Sequence, residues 1–351
     1  MTQPHAFAID GRPVGGTARC FVIAEAGVNH NGRLDLAREL VRRAADAGAD
    51  CVKFQTFRAE EVATARAPKA AYQLETTDPA ESQLDMLRAL ELADQDFAAL
   101  RELARSLGVA FLSTPYSTGD ADRLQSIGVT GFKIASGQIV ETHFLEHVAR
   151  MGLPMIVSTG MATLDEIRRA EGILARMNVP RAYLQCTTNY PSRIEDANIR
   201  AMQTMGAVLG ATVGYSDHTE TTSACLAAVA LGARVIEKHF TLDRTMPGPD
   251  HASSVEPAEL AGLVRAIREV EAALGSGVKE PCPAELRNRD GMRRSLVARR
   301  TLRRGETITL EHLAAKRPAT GFPPERWAEL VGRRLCRDVA ADESFRDGDV
   351  E

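Results

Sequence analysis

Two short apolar runs in the second half of the chain each end in a histidine. The first, ATVGYSDHT, finishes at His218 and the second, ARVIEKHF, at His239. Each has the length and β-branched content of a buried strand. The Ala-rich segment from Glu220 to Leu231 between them is of helical length, so the unit reads as strand, helix, strand with the strands parallel. Parallel neighbours lie about 4.8 Å apart. Two imidazoles leaving the same ends of such strands can reach one cation and leave positions open for water or substrate. The alternative is a pair of hydrogen-bonded polar residues at strand ends.

Other apolar runs carry groups that are costly to bury. Lys53 lies in CVKFQTF and Lys133 in GFKIAS, and an ammonium in an apolar strand needs an anion. Read in order, the strand ends carry Glu25; Lys53 and Gln55; Ser113 and Thr114; Lys133 and Ser136; Ser158 and Thr159; Thr188, Asn189 and Tyr190; Ser216, Asp217 and His218; and Lys238 and His239. A Ser or Thr in such a place is commonly a helix cap. Two lysines with hydroxyls and helix N-termini make a phosphate site. Glu25, within VIAEAG, adds a carboxylate able to move protons. Phosphate site, metal and acid–base group together suggest aldol-type carbon–carbon bond formation, or lyase chemistry, at a phosphorylated enol or sugar.

These residues need a scaffold that gathers eight strand ends, and the sequence rhythm supplies one. Strands CFVIAEAG, CVKFQTF, AFLSTP, GFKIAS, PMIVSTG, RAYLQCTTNYP, ATVGYSDHT and ARVIEKHF are each followed by a helical segment, the last being Pro257 to Leu274. Eight such units over about 255 residues predict an α/β fold, a (β/α)8 TIM barrel with its chemistry at the C-terminal strand ends. A doubly wound open sheet competes, but the glycine-rich first turn it needs is absent. Residues 7–16, FAIDGRPVGG, read as a hairpin turning at Asp-Gly. The expected organisation is a barrel domain over 1–275, a Gly- and Pro-marked linker over 276–292, and a small β-rich domain over 293–351.

Composition narrows the partners. The chain has 351 residues, is 44% hydrophobic and carries a net charge of −4, which gives no general attraction to nucleic acid or anionic membrane. Eight arginines fall between Arg287 and Arg304, but SLVA interrupts them and no aromatics interleave, so a solvated linker and strand edge is the reading. Six cysteines without a CxxC pair suit a reducing compartment. Asp10 and Arg12 stand where a signal peptide needs an apolar core, and 18 uninterrupted apolar residues occur nowhere. A cytoplasmic protein is expected.

The segments FVIAEAGVNHNG, DCVKFQTF, FLSTPYS, FKIASGQ, IVSTGMAT, CTTNYP, VGYSDHT and VIEKHFTLDRTMPGPDH resemble the sialic acid synthase family, and SLVARRTLRRGETIT with AAKRPATGF resembles that family's C-terminal antifreeze-like (SAF) domain. The resemblance implies condensation of phosphoenolpyruvate with an open-chain N-acetylmannosamine-type aldose to a nine-carbon nonulosonic acid, with Mn2+ or Mg2+ as cofactor. It implies that Lys53, Lys133, Thr114, Ser136, Ser158 and Ser216 hold the phosphate. His218 and His239 would hold the metal, Glu25 would handle protons, and Gln55, Tyr190 and Asp250 would contact the sugar. Arg317 would reach over the partner's active site in a domain-swapped homodimer. The family commonly has a carboxylate where this chain has Gln138, which cannot exchange a proton. Glu25 then does all the proton work, Glu141 substitutes, or the substrate differs. Residues 67–92 and Thr188 within CTTNYP look like the legionaminic-type branch, whose sugar is 2,4-diacetamido-2,4,6-trideoxymannose. An unusual aldose of a specialised pathway, a related synthase for phosphorylated sugar acids, and an inactive sugar-binding barrel are the alternatives.

Overall fold

A computed structural model of the chain describes residues 6–78 and 80–351; residues 1–5, and Pro79 within the 67–92 segment, lie outside it. The chain divides into two compact units, one running to Gly275 and one from Ser276 to Glu351.

The first unit opens with strands β1 (Phe7–Ile9) and β2 (Arg12–Val14), paired antiparallel. Asp10 and Gly11 between them both have positive φ, 46° and 74°, the conformation an Asp-Gly hairpin turn needs. Eight parallel strands follow: β3 (Phe21–Gly27), β4 (Cys51–Thr56), β5 (Ala110–Pro115), β6 (Phe132–Ile134), β7 (Met155–Ser158), β8 (Arg181–Cys186), β9 (Thr212–Asp217) and β10 (Val235–His239). Their order is β5-β4-β3-β10-β9-β8-β7-β6, and β5 also lies against β6, so the sheet closes on itself. This is the (β/α)8 barrel that the rhythm predicts.

The layers inside the barrel explain where a site must be. Phe7, Ile9 and Val14 of the hairpin pack with Phe21, Cys51, Ala110 and Val235, the first inward residues of their strands, and with Ile23, Leu112, Ile156, Ala182 and Leu184 above them. The N-terminal end is thus plugged by hydrocarbon, leaving the C-terminal end for polar groups.

Outer helices bury one stripe each against the outward face of the strands. In α1 (Leu34–Asp46) the buried residues are Ala37, Leu40, Val41 and Ala44, the i, i+3, i+4, i+7 pattern of an amphipathic helix. Three short helices, α2 (Ala59–Val62), α3 (Ala71–Thr76) and α4 (Gln83–Ala89), fill the connection after β4, ahead of α5 (Asp94–Ser106) and α6 (Thr118–Ser126). Then come α7 (Thr142–Arg150), α8 (Leu164–Arg176), α9 (Arg200–Leu209), α10 (Ser223–Ala230) and α11 (Pro257–Leu274). The start of α8 is fixed by a capping box: Thr163 Oγ1 accepts from Glu166 N, and Glu166 Oε2 accepts from Thr163 N at 2.7 Å.

The second unit begins with a helix where the sequence suggests only linker. It is α12 (Pro283–Met292), with proline at its first position and Glu285 reaching back to Cys282 N at 2.9 Å. Beyond it β11 (Ser295–Ala298) and β12 (Leu313–Lys316) pair antiparallel over a core that includes Leu296, Leu302, Ile308, Phe322, Leu335 and Phe345. Among the described residues no helix is long and apolar enough to cross a membrane.

Candidate active site

Side chains alternate across each strand, and that alternation selects the polar set at the open end. On β10, Val235, Glu237 and His239 share the inward face, while Lys238 points out. Lys238 is not a rim residue: its Nζ lies 2.7 Å from Asp217 Oδ2 and donates to the carbonyls of Thr219 and Thr221. Tyr215 OH and Thr219 N also donate to Asp217, at 3.1 and 3.0 Å. Lys238 and Asp217 are therefore a satisfied buried pair outside the barrel wall, of structural value. Ser113 likewise turns outward to Thr56 at 2.7 Å, leaving Thr114 to face in.

Inside, a cavity of about 350 Å³ is lined by Glu25, Lys53, Gln55, Thr114, Lys133, Ser136, Gln138, Ser158, Thr188, Tyr190, Ser216, His218 and His239, together with Glu237, Glu141, Cys186 and Tyr116. Thirteen of the fifteen residues proposed from sequence thus meet in one space. Asp250 is next to it, its Oδ2 3.8 Å from His239 Nδ1. Arg317 belongs to the second unit, exposed, with its Nε donating to Met292 O at 3.0 Å.

A chain of charges crosses the cavity floor. Lys53 Nζ is 2.7 Å from Glu25 Oε2, 3.1 Å from Thr114 Oγ1 and 3.9 Å from Glu237 Oε2. Lys133 Nζ donates to Ser158 Oγ at 2.6 Å and lies 3.4 Å from Glu237 Oε1, which also accepts from Ser216 Oγ at 2.9 Å. Glu237 is thus the anion that keeps both lysines tolerable in the resting barrel. Burial works to raise its pKa, but Lys133 and Lys53 outweigh that and hold it below the ordinary range. Burial lowers the Lys133 pKa.

Glu25 has the opposite balance. Burial dominates over the Lys53 attraction and pushes its pKa up to about 7, where a carboxyl can both give and take a proton at neutral pH. Its Oε1 accepts from Gln55 Nε2 at 3.1 Å. Gly27 makes this contact sterically feasible: its φ is +54°, and a Cβ there would stand 3.3 Å from both Gln55 Nε2 and Glu25 Oε1.

The histidines have the right free atoms for a cation. His218 Nδ1 faces Thr187 O at 2.7 Å, which fixes a proton on that nitrogen and leaves Nε2 as the atom to meet a cation. Burial works to lower the ring's pKa, but Cys186, the Thr187 carbonyl and Glu237 outweigh it and raise it. His239 Nδ1 is buried with no hydrogen-bond partner, and burial holds the ring pKa well below its ordinary value, so the imidazole is neutral. The ring centroids are 5.3 Å apart, and Tyr190 packs on His218 at 4.0 Å. Among the described residues no group of three or more His, Cys, Asp or Glu side chains is set to hold an ion. The two imidazoles, with His218 giving up its extra proton on binding, fit a divalent cation whose remaining positions go to water and substrate. Asp250 is raised by burial to about 6. Its loop is tied down by Asn31 Nδ2 on Pro247 O at 2.9 Å and by Ser254 Oγ on Asp250 O at 2.6 Å.

Gln138 is 4% exposed; its Oε1 accepts from Ala135 N at 3.4 Å, and its Nε2 has no partner. Since Gln138→Glu breaks no protein contact of Nε2, it is expected to fold normally and to retain turnover. Complete loss of turnover in a folded variant would show that the site needs a neutral donor here.

Sequence reasoning passed over Glu237 and Cys186, whose Sγ is 3.8 Å from His218 Nδ1. Glu237 was readable: in VIEKH the residue two before His239 shares its face. A wider cleft of about 670 Å³ adjoins the site between α8 and α9, but it has neither lysine nor histidine in its walls.

A sequence model of the NeuB family matches residues 40–279. The chain belongs to the NeuB family. An SAF domain matches residues 293–351. The chain is 45% identical over 335 residues to an N,N'-diacetyllegionaminic acid synthase of Legionella pneumophila, covering 94% of each. It is 44% identical to the Campylobacter jejuni protein of the same name, over 94% of this chain and 99% of that one. Among solved structures, the N-acetylneuraminic acid (sialic acid) synthetase of Leptospira borgpetersenii, in complex with citrate, superposes with a TM-score of 0.73 at 35% identity, over 82% of this chain and 95% of that one. NeuB membership with an SAF domain agrees with the resemblance that the motifs carry.

Proposed function

We propose that this NeuB-family enzyme condenses phosphoenolpyruvate with an amino-sugar aldose, releasing phosphate and a nine-carbon nonulosonic acid, and that the aldose is 2,4-diacetamido-2,4,6-trideoxymannose. The observation that carries the reaction is the cavity floor, where Lys53 and Lys133 stand among hydroxyls next to a carboxyl with a pKa of about 7 and two histidines. The legionaminic names of the two relatives described support the sugar.

Lys53 and Lys133, with Thr114, Ser136, Ser158 and Ser216, hold the phosphate and keep it in place as a leaving group. His218 and His239 would hold a divalent ion, Mn2+ or Mg2+, which would supply Lewis acidity to the aldehyde. The methylene carbon of the enol phosphate forms the new bond to the aldehyde carbon. Glu25, in its protonated form, gives its proton to the oxygen that becomes a hydroxyl. Once ionised, it takes a proton from the water that adds to the resulting oxocarbenium carbon. The tetrahedral centre then expels phosphate by C–O cleavage, the proton of its new hydroxyl leaving with the phosphate, and the ketone remains. Gln55, Tyr190 and Asp250 orient the sugar, and Thr188 lines the approach. Arg317 supports a swapped homodimer in which one SAF domain serves the partner's barrel. A cytoplasmic location suits six free cysteines and phosphoenolpyruvate as substrate.

The test is phosphate release from phosphoenolpyruvate with Mn2+, comparing N-acetylmannosamine, the diacetamido sugar and no sugar. Release that requires an aldose, favours the diacetamido sugar and stops with a chelator is expected. No release from folded, Mn2+-loaded protein with any aldose sinks the synthase reading in favour of a sugar-binding barrel. In the same preparation, Arg317→Ala chains mixed with Lys53→Ala chains should regain part of the activity; no recovery under subunit exchange rejects the swap.

A further inference from the structure

Beside the polar cavity lies a second space of different chemistry. It has a volume of about 180 Å³ and is reached past Gln55, Tyr116, Tyr190 and His239, which line both spaces. One face of it is apolar, made by Val28, Phe57, Val62, Met86, Leu87 and Leu90, and Gln73, Gln83 and Asp250 supply the polar remainder of the lining. Four of these, Val28, Phe57, Met86 and Leu90, form a small buried cluster separate from the barrel core. Phe57 meets Tyr116 edge to face at 5.9 Å, which holds the doorway. The wall is built largely by the connection after β4, since Val62 ends α2 while Met86 and Leu87 lie in α4.

We infer that this chamber is a specificity subsite for methyl-terminated substituents of the aldose, the 6-deoxy carbon or an N-acyl methyl, and that the α2–α4 connection selects the sugar. The inference rests on the synthase reading above. A ligand filling both spaces sets its anionic partner among the lysines and its unreacting end against the apolar wall. A methyl set against those six side chains leaves water, whereas a hydroxymethyl brings a hydroxyl to a face whose only acceptor is the weak Met86 thioether. A pocket of this kind discriminates by about 10-fold or more per methyl-sized difference. The charged floor thus carries the reaction, and the α2–α4 connection the choice between sugars that differ by a methyl.

The experiment measures kcat/KM on two matched pairs, 2,4-diacetamido-2,4,6-trideoxymannose against its 6-hydroxy counterpart, and the same sugar against its 4-hydroxy counterpart. It uses the full-length enzyme, Met86→Gln, and Val62→Asn at a residue already 38% exposed. The unsubstituted enzyme should prefer the methyl-bearing member of at least one pair by about 10-fold or more, and both variants should bring that ratio toward unity while KM for phosphoenolpyruvate stays put. A general loss of fold would depress both members of a pair alike. Turnover with no preference in either pair, or a preference unmoved in both folded variants, overturns the chamber alone. No turnover of any aldose by the unsubstituted enzyme overturns the synthase reading and the chamber with it.

Discussion

A Glu25→Gln protein should fold, bind phosphoenolpyruvate, and release phosphate about 10²- to 10⁴-fold more slowly, the loss expected when a positioned acid–base group goes. The amide keeps the shape and can still face Gln55 and Lys53, so the change isolates proton exchange. Stability gives an independent readout with a definite sign. The folded pKa of Glu25 is about 7 against an ordinary 4.5, and burial is the cause. Between these values the folded state keeps a proton that the unfolded chain has released. The stability this group contributes is fully present below pH 4.5 and is lost as pH rises through 7. Glutamine removes that dependence. Relative to the unsubstituted protein, the variant should gain stability steadily from pH 4.5 to 7 and no further above it. Denaturant unfolding at pH 5, 6.5 and 8, alongside kcat, reads both effects. A variant with unimpaired kcat, or one whose relative stability falls over that interval, removes Glu25 from the proton role.

The parts of the site legible in sequence are those that strand periodicity carries. Glu25, Lys53, Lys133 and His239 stand inside apolar runs, where a charged or polar group is conspicuous, and all line the cavity. Period two also contains Glu237 and excludes Lys238, but in VIEKH three polar residues follow one another, and burial alone does not say which pair faces in. The hairpin was legible because Asp-Gly admits few backbone conformations. By contrast α2, α3 and α4 are four to seven residues long, too short for helical periodicity to register or for such helices to form without tertiary contacts. The chamber that they wall was accordingly invisible. Helix α12 buries none of its residues, so no apolar stripe distinguishes it from a solvated linker. Only Pro283 and the Glu285 cap mark its start. Asp250 reaches His239 from a loop that Asn31 and Ser254 hold in place, a geometry that no local pattern encodes.

Removing the Lys53 ammonium should cost activity and stability together, and pH separates the two. Lys53→Met takes away a phosphate-holding charge, and loss of one such donor lowers turnover by about 10²- to 10³-fold. It also strands Glu25, which loses its 2.7 Å partner, while Glu237 keeps Lys133 at 3.4 Å. Breaking a buried pair from one side typically costs about 3–5 kcal/mol, because the remaining charge is uncompensated. Glu25 has an escape: with Lys53 gone, the attraction opposing burial disappears and its pKa rises beyond about 7. Below pH 7 the carboxyl is neutral and little is lost. At pH 8 the folded state must either bury a bare carboxylate or hold a proton against the solution. The destabilisation of Lys53→Met relative to the unsubstituted protein should therefore be small at pH 6 and large at pH 8. Adding Glu25→Gln removes the stranded group, so the double variant should regain stability at pH 8 while phosphate release stays low. Recovery of activity in the double variant would show that Lys53 serves only to pair Glu25. A single-variant destabilisation independent of pH would place the cost in packing rather than in charge.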